Sequence, residues 1–183
     1  MRIVTGKYKG RHFEIPRTFK ARPTTDFAKE NLFNVLRGYT DIEGKDVLDL
    51  FAGTGSITAE FLSRGSHFVS SVELDREHCA FIASVLRTLG ADNARLHRYD
   101  ALRYITHSSD TYDIIFADPP YKLPRLGEIP SLVLSSPILR PDGLLILEHG
   151  KNYDFSALPG FFDHRAYGSV NFSFFRHPAP AAE

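Results

Sequence analysis

Four consecutive residues, Asp118-Pro119-Pro120-Tyr121, offer the most specific chemistry in this chain of 183 residues. Two prolines fix the backbone and donate no N–H, which leaves the carbonyl oxygens of Asp118 and Pro119 free to face a cleft. The Asp118 carboxylate and the Pro119 carbonyl then form a pair of acceptors for the two hydrogens of an exocyclic amine. Tyr121 adds an aromatic face for stacking a planar base. An aromatic amine is a poor nucleophile because its lone pair is delocalised into the ring. Acceptors on both hydrogens favour a more pyramidal nitrogen, whose lone pair points at an electrophile. A proline-rich turn with an incidental acid would share the tetrapeptide, so its position along the chain has to support the reading.

That position does support it. Upstream, Asp49-Leu50-Phe51-Ala52-Gly53-Thr54-Gly55 follows a strand-like run, and glycines there let backbone approach a ligand closely. Glu73 ends the next strand-like run, placed to accept from ribose hydroxyls, with Leu74 beside it. Asp100, followed by Ala101, ends the third and can accept from an adenine amino group. Together these read as a nucleoside site. The dinucleotide pattern G-x-G-x-x-G/A fails at its third position, which is Thr58. Asp49 would repel a pyrophosphate but suits the ammonium group of S-adenosylmethionine. Thr58 itself is expected to affect helix–sheet packing more than chemistry.

The elements that must position these residues alternate. Val47–Phe51 reads as a buried strand, Ser56–Arg64 as a helix and His67–Glu73 as a strand. Phe81, Ile82, Val85, Leu86 and Leu89 form one face of a helix closed by Gly90. Further strands are expected near Ala94–Tyr99, Tyr112–Ala117 and Gly143–Leu147. Strands alternating with helices imply an α/β domain with a doubly wound, mostly parallel sheet. Phe161–Tyr167 and Ser169–Arg176, around Gly168, predict an antiparallel C-terminal hairpin. At the other end, Arg2 to Pro16 reads as a basic β-hairpin. Arg22-Pro23-Thr24-Thr25 then sets up a helix with Ala28, Leu32, Val35 and Leu36 on one face, ended by Gly38. The expected organisation is an N-terminal hairpin and helix extension (1–38), a catalytic domain (39–177) and a frayed tail (178–183).

Composition narrows the function classes. Hydrophobic residues make up 43% and charged residues 24%, ordinary values for a globular chain. One cysteine, Cys79, excludes an internal disulfide and a multi-cysteine zinc site, and it reads as a small buried hydrophobe. The eight histidines show no H-x-x-x-H spacing, so no metal is expected. Neither a signal peptide nor a spanning helix fits, and a cytoplasmic protein without a membrane partner is expected. The 15 phenylalanines, several of them in Phe172-Ser173-Phe174-Phe175, read as core rather than as a base platform. Net charge is zero, yet residues 1–37 carry nine bases against three acids, a net +6, and the remainder carries −6. A basic arm on an acidic body suggests that one end meets a polyanion.

On these motifs the chain resembles the bacterial small-subunit (16S) rRNA guanine-N2 methyltransferases, within the wider D-P-P-Y group of amino methyltransferases. The resemblance spans nearly the whole chain. It takes in Arg2-Ile3-Val4, Gly6 to Arg11, Arg22-Pro23-Thr24-Thr25-Asp26, Lys29 to Asn34, the glycine motif, Ser63-Arg64-Gly65, Glu73-Leu74-Asp75, Asp118 to Tyr121 and Tyr167-Gly168. It implies a seven-stranded Rossmann-like methyltransferase sheet. It also implies S-adenosylmethionine as methyl donor, S-adenosylhomocysteine as product, and no metal. Asp118, Pro119, Pro120 and Tyr121 would hold the base, and Asp49, Phe51, Gly53, Gly55, Glu73, Leu74, Asp100 and Ala101 the cofactor. Lys7, Lys9, Arg11 and Arg22 would grip 16S rRNA, free or within a partly assembled small subunit, with the enzyme a monomer. Two other readings stay open: a DNA adenine-N6 methyltransferase, and a non-catalytic RNA-binding assembly factor that keeps the fold as a scaffold.

Overall fold

The structure, a computed structural model, describes residues 1–19 and 24–178. Five strands run parallel: β1 (Asp46–Leu50), β2 (Phe68–Glu73), β3 (Ala94–Arg98), β4 (Tyr112–Ala117) and β5 (Leu139–His149). A final hairpin adds β6 (Phe161–Tyr167) and β7 (Val170–Phe175), with β7 antiparallel to both β5 and β6. The seven strands form one sheet in the order β3-β2-β1-β4-β5-β7-β6. The chain moves outward from β1 to β3 and then returns to the other side of β1. The order therefore reverses between β1 and β4, the place where open α/β sheets bind ligands beyond their strand ends. The expected fold class is the observed one.

Helices cover both faces. Side chains alternate along each strand, so every central strand feeds two cores and reads as a continuous apolar run. Val47, Ile114, Phe116 and Ile146 pack with α1 (Asp26–Leu36), α2 (Ser56–Ser63) and α3 (Arg76–Leu89). Leu48, Leu50, Ile115 and Leu145 pack on the other face with α4 (Ala101–His107) and α5 (Ile129–Leu134). The caps follow from the residues present. Thr25 accepts from the Ala28 N–H at the start of α1, and Asp75 accepts from Glu77 and His78 at the start of α3. Phe172, Phe174 and Phe175 are wholly buried.

Some expectations change. The N-terminal segment does turn back on itself, but its ladder has a single bridge, Arg2 to His12. The body holds it instead. The Lys7 N–H donates to the Ser63 carbonyl at 2.7 Å, the Tyr8 N–H donates to Ser63 Oγ at 2.9 Å, and the Val4 N–H donates to Glu60 at 2.7 Å. Gly6 makes this docking possible: its φ is +91° and an added Cβ would lie 1.9 Å from the Ser63 carbonyl oxygen. Ile3 and Tyr8 join the core that also holds Leu32, Phe33 and Phe61. β5 starts at Leu139 rather than near Gly143, because Leu139 pairs with Tyr112 and the ladder absorbs Arg140–Gly143 as an irregularity. The short α5 had no clear periodic signal. Arg22, Pro23 and residues 179–183 of the tail lie outside the described residues.

Candidate active site

A cleft of about 890 Å³ opens at the carboxyl ends of the parallel strands, across the switch point. Its wall contains Asp49, Phe51, Gly53, Glu73, Leu74, Asp100, Ala101 and the whole run Asp118–Tyr121. The residues singled out around the glycine turn and the strand ends thus come together in one place. Gly55 is the exception. It sits behind the wall with φ 71°, where it precedes α2 and packs against Ile82.

The turn after β1 is tightly wound: Phe51, Gly53 and Gly55 all have left-handed backbones, at φ 60°, 55° and 71°. For Phe51 that conformation is strained, and such strain persists where the surroundings enforce it. Glu73 supplies much of the enforcement. One of its carboxylate oxygens accepts from the Gly53 N–H at 2.8 Å, and the other accepts from the Leu74 and Asp75 N–H groups, also at 2.8 Å. A carboxylate has about four acceptor positions, so about one is left for a ribose hydroxyl. Glu73 is therefore a brace for the turn as well as a candidate ribose ligand. Replacing Glu73 by alanine is expected to weaken S-adenosylmethionine binding by about 1–3 kcal/mol in calorimetry. Unchanged affinity would mean that neither role matters.

Asp100 likewise divides its carboxylate. Oδ1 caps α4 by accepting from the Arg103 N–H at 2.9 Å, which leaves Oδ2 for an adenine amine. Leu74 is 61% exposed, an unusual state for leucine, and offers the cleft an apolar shelf beside Glu73.

Asp49 is wholly buried, and burial pushes its carboxyl up to about 7. Its partner is Thr58, whose hydroxyl donates to Asp49 Oδ2 at 2.6 Å and lies 2.7 Å from Ser71 Oγ. Thr58 therefore bears directly on the site's electrostatics, where the expectation gave packing more weight than chemistry. A threonine hydroxyl at that helix position reaches back to the strand end, which a glycine could not do. An ammonium group would fit a buried carboxylate that has no cation beside it among the described residues, so Asp49, Glu73 and Asp100, with Leu74 as an apolar shelf, could hold S-adenosylmethionine.

The other half of the cleft is acidic. Asp118 directly follows β4, and burial first, then the nearby Glu148 and Asp49 charges, push its carboxyl well above the usual range. Glu148, near the end of β5, is 6% exposed and is pushed up to about 7 by burial. The Tyr121 hydroxyl donates to Glu148 Oε1 at 3.1 Å, and burial with the Glu148 charge raises the phenol above its ordinary value. Tyr121 is still 40% exposed, so part of its ring remains open to a base. Glu148 was missed in the sequence, as were His78, Tyr99, Thr24 and Thr25, which also line the cleft. An acid directly after the apolar run Leu144–Leu147 was the available signal for Glu148.

The basic arm lies elsewhere. Its tip, with Lys7, Lys9 and Arg11 all exposed, packs at the last turns of α2 and α3, where Arg11 Nη1 donates to the Thr88 carbonyl at 2.9 Å. In a β-α-β unit those helix ends lie at the amino ends of the strands, opposite the cleft. The root of the arm is nearer: the Phe19 ring sits 4.3 Å from that of His78, a cleft residue. Among the described residues, no cluster of three or more His, Cys, Asp or Glu could hold a metal ion. No helix among them is long and apolar enough to cross a membrane.

The chain is similar to known proteins over most of its length. A family model described as conserved hypothetical protein 95 matches residues 1–176. Ribosomal RNA small subunit methyltransferase D of Escherichia coli strain K12 is 33% identical over 148 residues, covering 81% of this chain and 74% of the relative. Its counterpart in Buchnera aphidicola subsp. Baizongia pistaciae is 30% identical, covering 81% and 75%. The solved structure of the Escherichia coli protein yhhF superposes with a TM-score of 0.85 at 29% identity, covering 98% of this chain and 99% of that one. With a model match over nearly its full length and relatives at 30% and 33% identity, this chain belongs to the conserved hypothetical protein 95 family, alongside the small subunit rRNA methyltransferases D.

Proposed function

We propose that this protein transfers a methyl group from S-adenosylmethionine to the exocyclic N2 amine of a guanine in small-subunit (16S) ribosomal RNA. The observation that carries the reading is one cleft in which Asp118–Tyr121 faces the glycine turn and the strand-end acids Asp49, Glu73 and Asp100. The names of the relatives add the RNA: they are ribosomal RNA small subunit methyltransferases. Bound in the cleft, S-adenosylmethionine supplies an electrophilic methyl carbon on a positively charged sulfur.

In this reading Asp49 pairs with the ammonium group, Glu73 with the ribose and Asp100 with the adenine amine. Phe51, Gly53, Leu74 and Ala101 shape the pocket, and Gly55 sets the turn. The Asp118 carboxylate and the Pro119 carbonyl accept the two hydrogens of the target amine, Pro120 stiffens the loop, and Tyr121 stacks on the base. Direct transfer needs no covalent enzyme intermediate, so holding amine and methyl donor in line is the main contribution of the protein. The target base has to leave its stack to enter the cleft.

The substrate is 16S rRNA, free or in a partly assembled small subunit, met by a monomer in the cytoplasm. Residues 1–38 form the RNA-facing extension of the catalytic domain. Lys7, Lys9, Arg11 and Arg22 are its phosphate contacts. Since the tip is separated from the cleft by the length of α2 and α3, about 12–21 Å at 1.5 Å per residue, only an extended or folded RNA reaches both. Reversing Lys7, Lys9 and Arg11 to glutamate is expected to weaken RNA binding. The log–log salt slope should fall by about 0.7 to 0.9 per lost contact, with cofactor affinity intact. If the arm serves only to cover α2 and α3, binding isotherms at two salt concentrations will coincide for both proteins.

The reaction itself is tested by incubating the protein with labelled S-adenosylmethionine and, separately, 16S rRNA, small-subunit particles lacking the modification, and duplex DNA. Label in N2-methylguanosine from either RNA sample supports the reading. Label in N6-methyladenine from DNA would replace it with the DNA reading, and no label in any sample would leave a scaffold role.

A further inference from the structure

The amine acceptors account for Asp118 and Pro119 but leave Glu148 unexplained. Its side chain is 6% exposed and lines the cleft, Oε1 is held by the Tyr121 hydroxyl at 3.1 Å, and Oε2 has no hydrogen-bond partner among the described residues. A buried carboxylate oxygen without a donor is costly unless a ligand supplies one. The sheet fixes where that donor has to come from. β4 and β5 are parallel neighbours with Ala117 opposite Leu147, so Asp118 and Glu148 are the next pair beyond them. Neighbouring strands lie about 4.8 Å apart, which sets two carboxyl groups side by side at the floor of the base half of the cleft.

Two adjacent acceptors match an edge with two adjacent donors. Guanine presents such an edge, its N1–H next to its N2 amine. Adenine presents an amine next to N1, which is a bare acceptor and would face a carboxylate lone pair. Resting on the guanine-N2 reading above, we propose that Glu148 is the specificity-determining residue of the base site: its Oε2 accepts the guanine N1–H while Asp118 and Pro119 hold the N2 amine.

On substrate entry each carboxyl group gains a donor, which offsets the burial that pushes both of them upward. Tyr121 has two tasks here. Its ring stacks on the base, and its hydroxyl occupies Oε1 so that Oε2 is the oxygen presented.

Glu148→Gln keeps the size of the side chain. With the Tyr121 hydroxyl donating to the glutamine oxygen, the amide NH2 is turned to the cleft, where it opposes N1–H and tolerates a bare N1. The discriminating substrate is 2-aminopurine, which retains the reactive 2-amino group but has no N1–H. An rRNA fragment carrying the methylated guanine would be prepared with guanosine or 2-aminopurine at that position, and kcat/KM measured for both proteins.

The wild type is expected to favour guanosine by about 10- to 100-fold, the range of one hydrogen bond to a charged group. Glu148→Gln should lose that factor on guanosine and keep, or raise, the rate on 2-aminopurine. S-adenosylhomocysteine affinity, read by calorimetry, confirms the fold of the variant. An equal loss on both substrates would reduce Glu148 to a brace for Tyr121 and overturn the proposal. Equal wild-type rates on guanosine and 2-aminopurine would overturn it without any variant. If the wild type methylates no guanosine at all, the N2 reading fails first and this proposal with it.

Discussion

Replacing Asp118 with alanine is expected to lower methyl transfer by about 100-fold or more while leaving S-adenosylmethionine affinity nearly unchanged. The amine would lose one of its two acceptors at the moment its nitrogen has to become pyramidal. The cofactor half of the cleft, centred on Asp49, Glu73 and Asp100, keeps its own contacts. Stability provides an independent check. Burial and the Glu148 and Asp49 charges raise the folded-state pKa of Asp118, so above the ordinary carboxylate pKa its ionised form opposes folding. Removing it at neutral pH should therefore leave the melting temperature unchanged or higher. A residue that opposes the fold yet is needed for turnover belongs to the reaction, whereas wild-type turnover by Asp118→Ala would remove it from the mechanism.

The second large effect concerns the fold of the N-terminal arm. Lys29 is 1% exposed and its Nζ lies 3.2 Å from Glu60, which is wholly buried, and 3.3 Å from Asp26. It also donates to the Arg2 carbonyl. Glu60 in turn accepts from the Val4 N–H and pairs with Arg64, whose guanidinium stacks 3.8 Å above the Phe33 ring. Lys29→Met should destabilise the protein by about 3 kcal/mol in urea titration, at the low end for a broken buried pair because Arg64 still faces Glu60. The double variant Lys29→Met, Glu60→Gln should lose more, not less, because it leaves the buried Arg64 guanidinium without its carboxylate. The arm should also exchange its amide hydrogens faster at Ile3 and Gly10, whose N–H groups bond within it. A midpoint unmoved by Lys29→Met would show that the arm docks without help from this buried ion pair.

Neither Lys29 nor Glu148 could be read correctly from the sequence, and the reason is the same. In the helix Lys29 stands four residues before Phe33, so it shares a buried stripe, but its counter-charge Glu60 is supplied by another helix 31 residues away. Glu148 gains its meaning only from the sheet order that sets β5 beside β4. By contrast, the places of Asp49, Glu73, Asp100 and Asp118 in the cleft were legible because each lies at or just past the carboxyl end of a strand of a parallel sheet, and parallel strands all deliver those ends to one side. The glycine turn and the tetrapeptide were legible for the same local reason. Thr58 was assigned to packing because periodicity carries no information on where a hydroxyl points. The basic tip of the arm was legible as charge, while its position, at the far end of the sheet from the cleft, depended on Gly6 docking against Ser63.

The central claim is that the cleft methylates a guanine amine in small-subunit rRNA, and nucleoside mass mapping of 16S rRNA tests it most directly. The rRNA would be taken from cells with the gene, without it, and carrying Asp118→Ala in its place. The account predicts one N2-methylguanosine that is present with the gene and absent from the other two samples. An identical set of modified nucleosides in all three would contradict it.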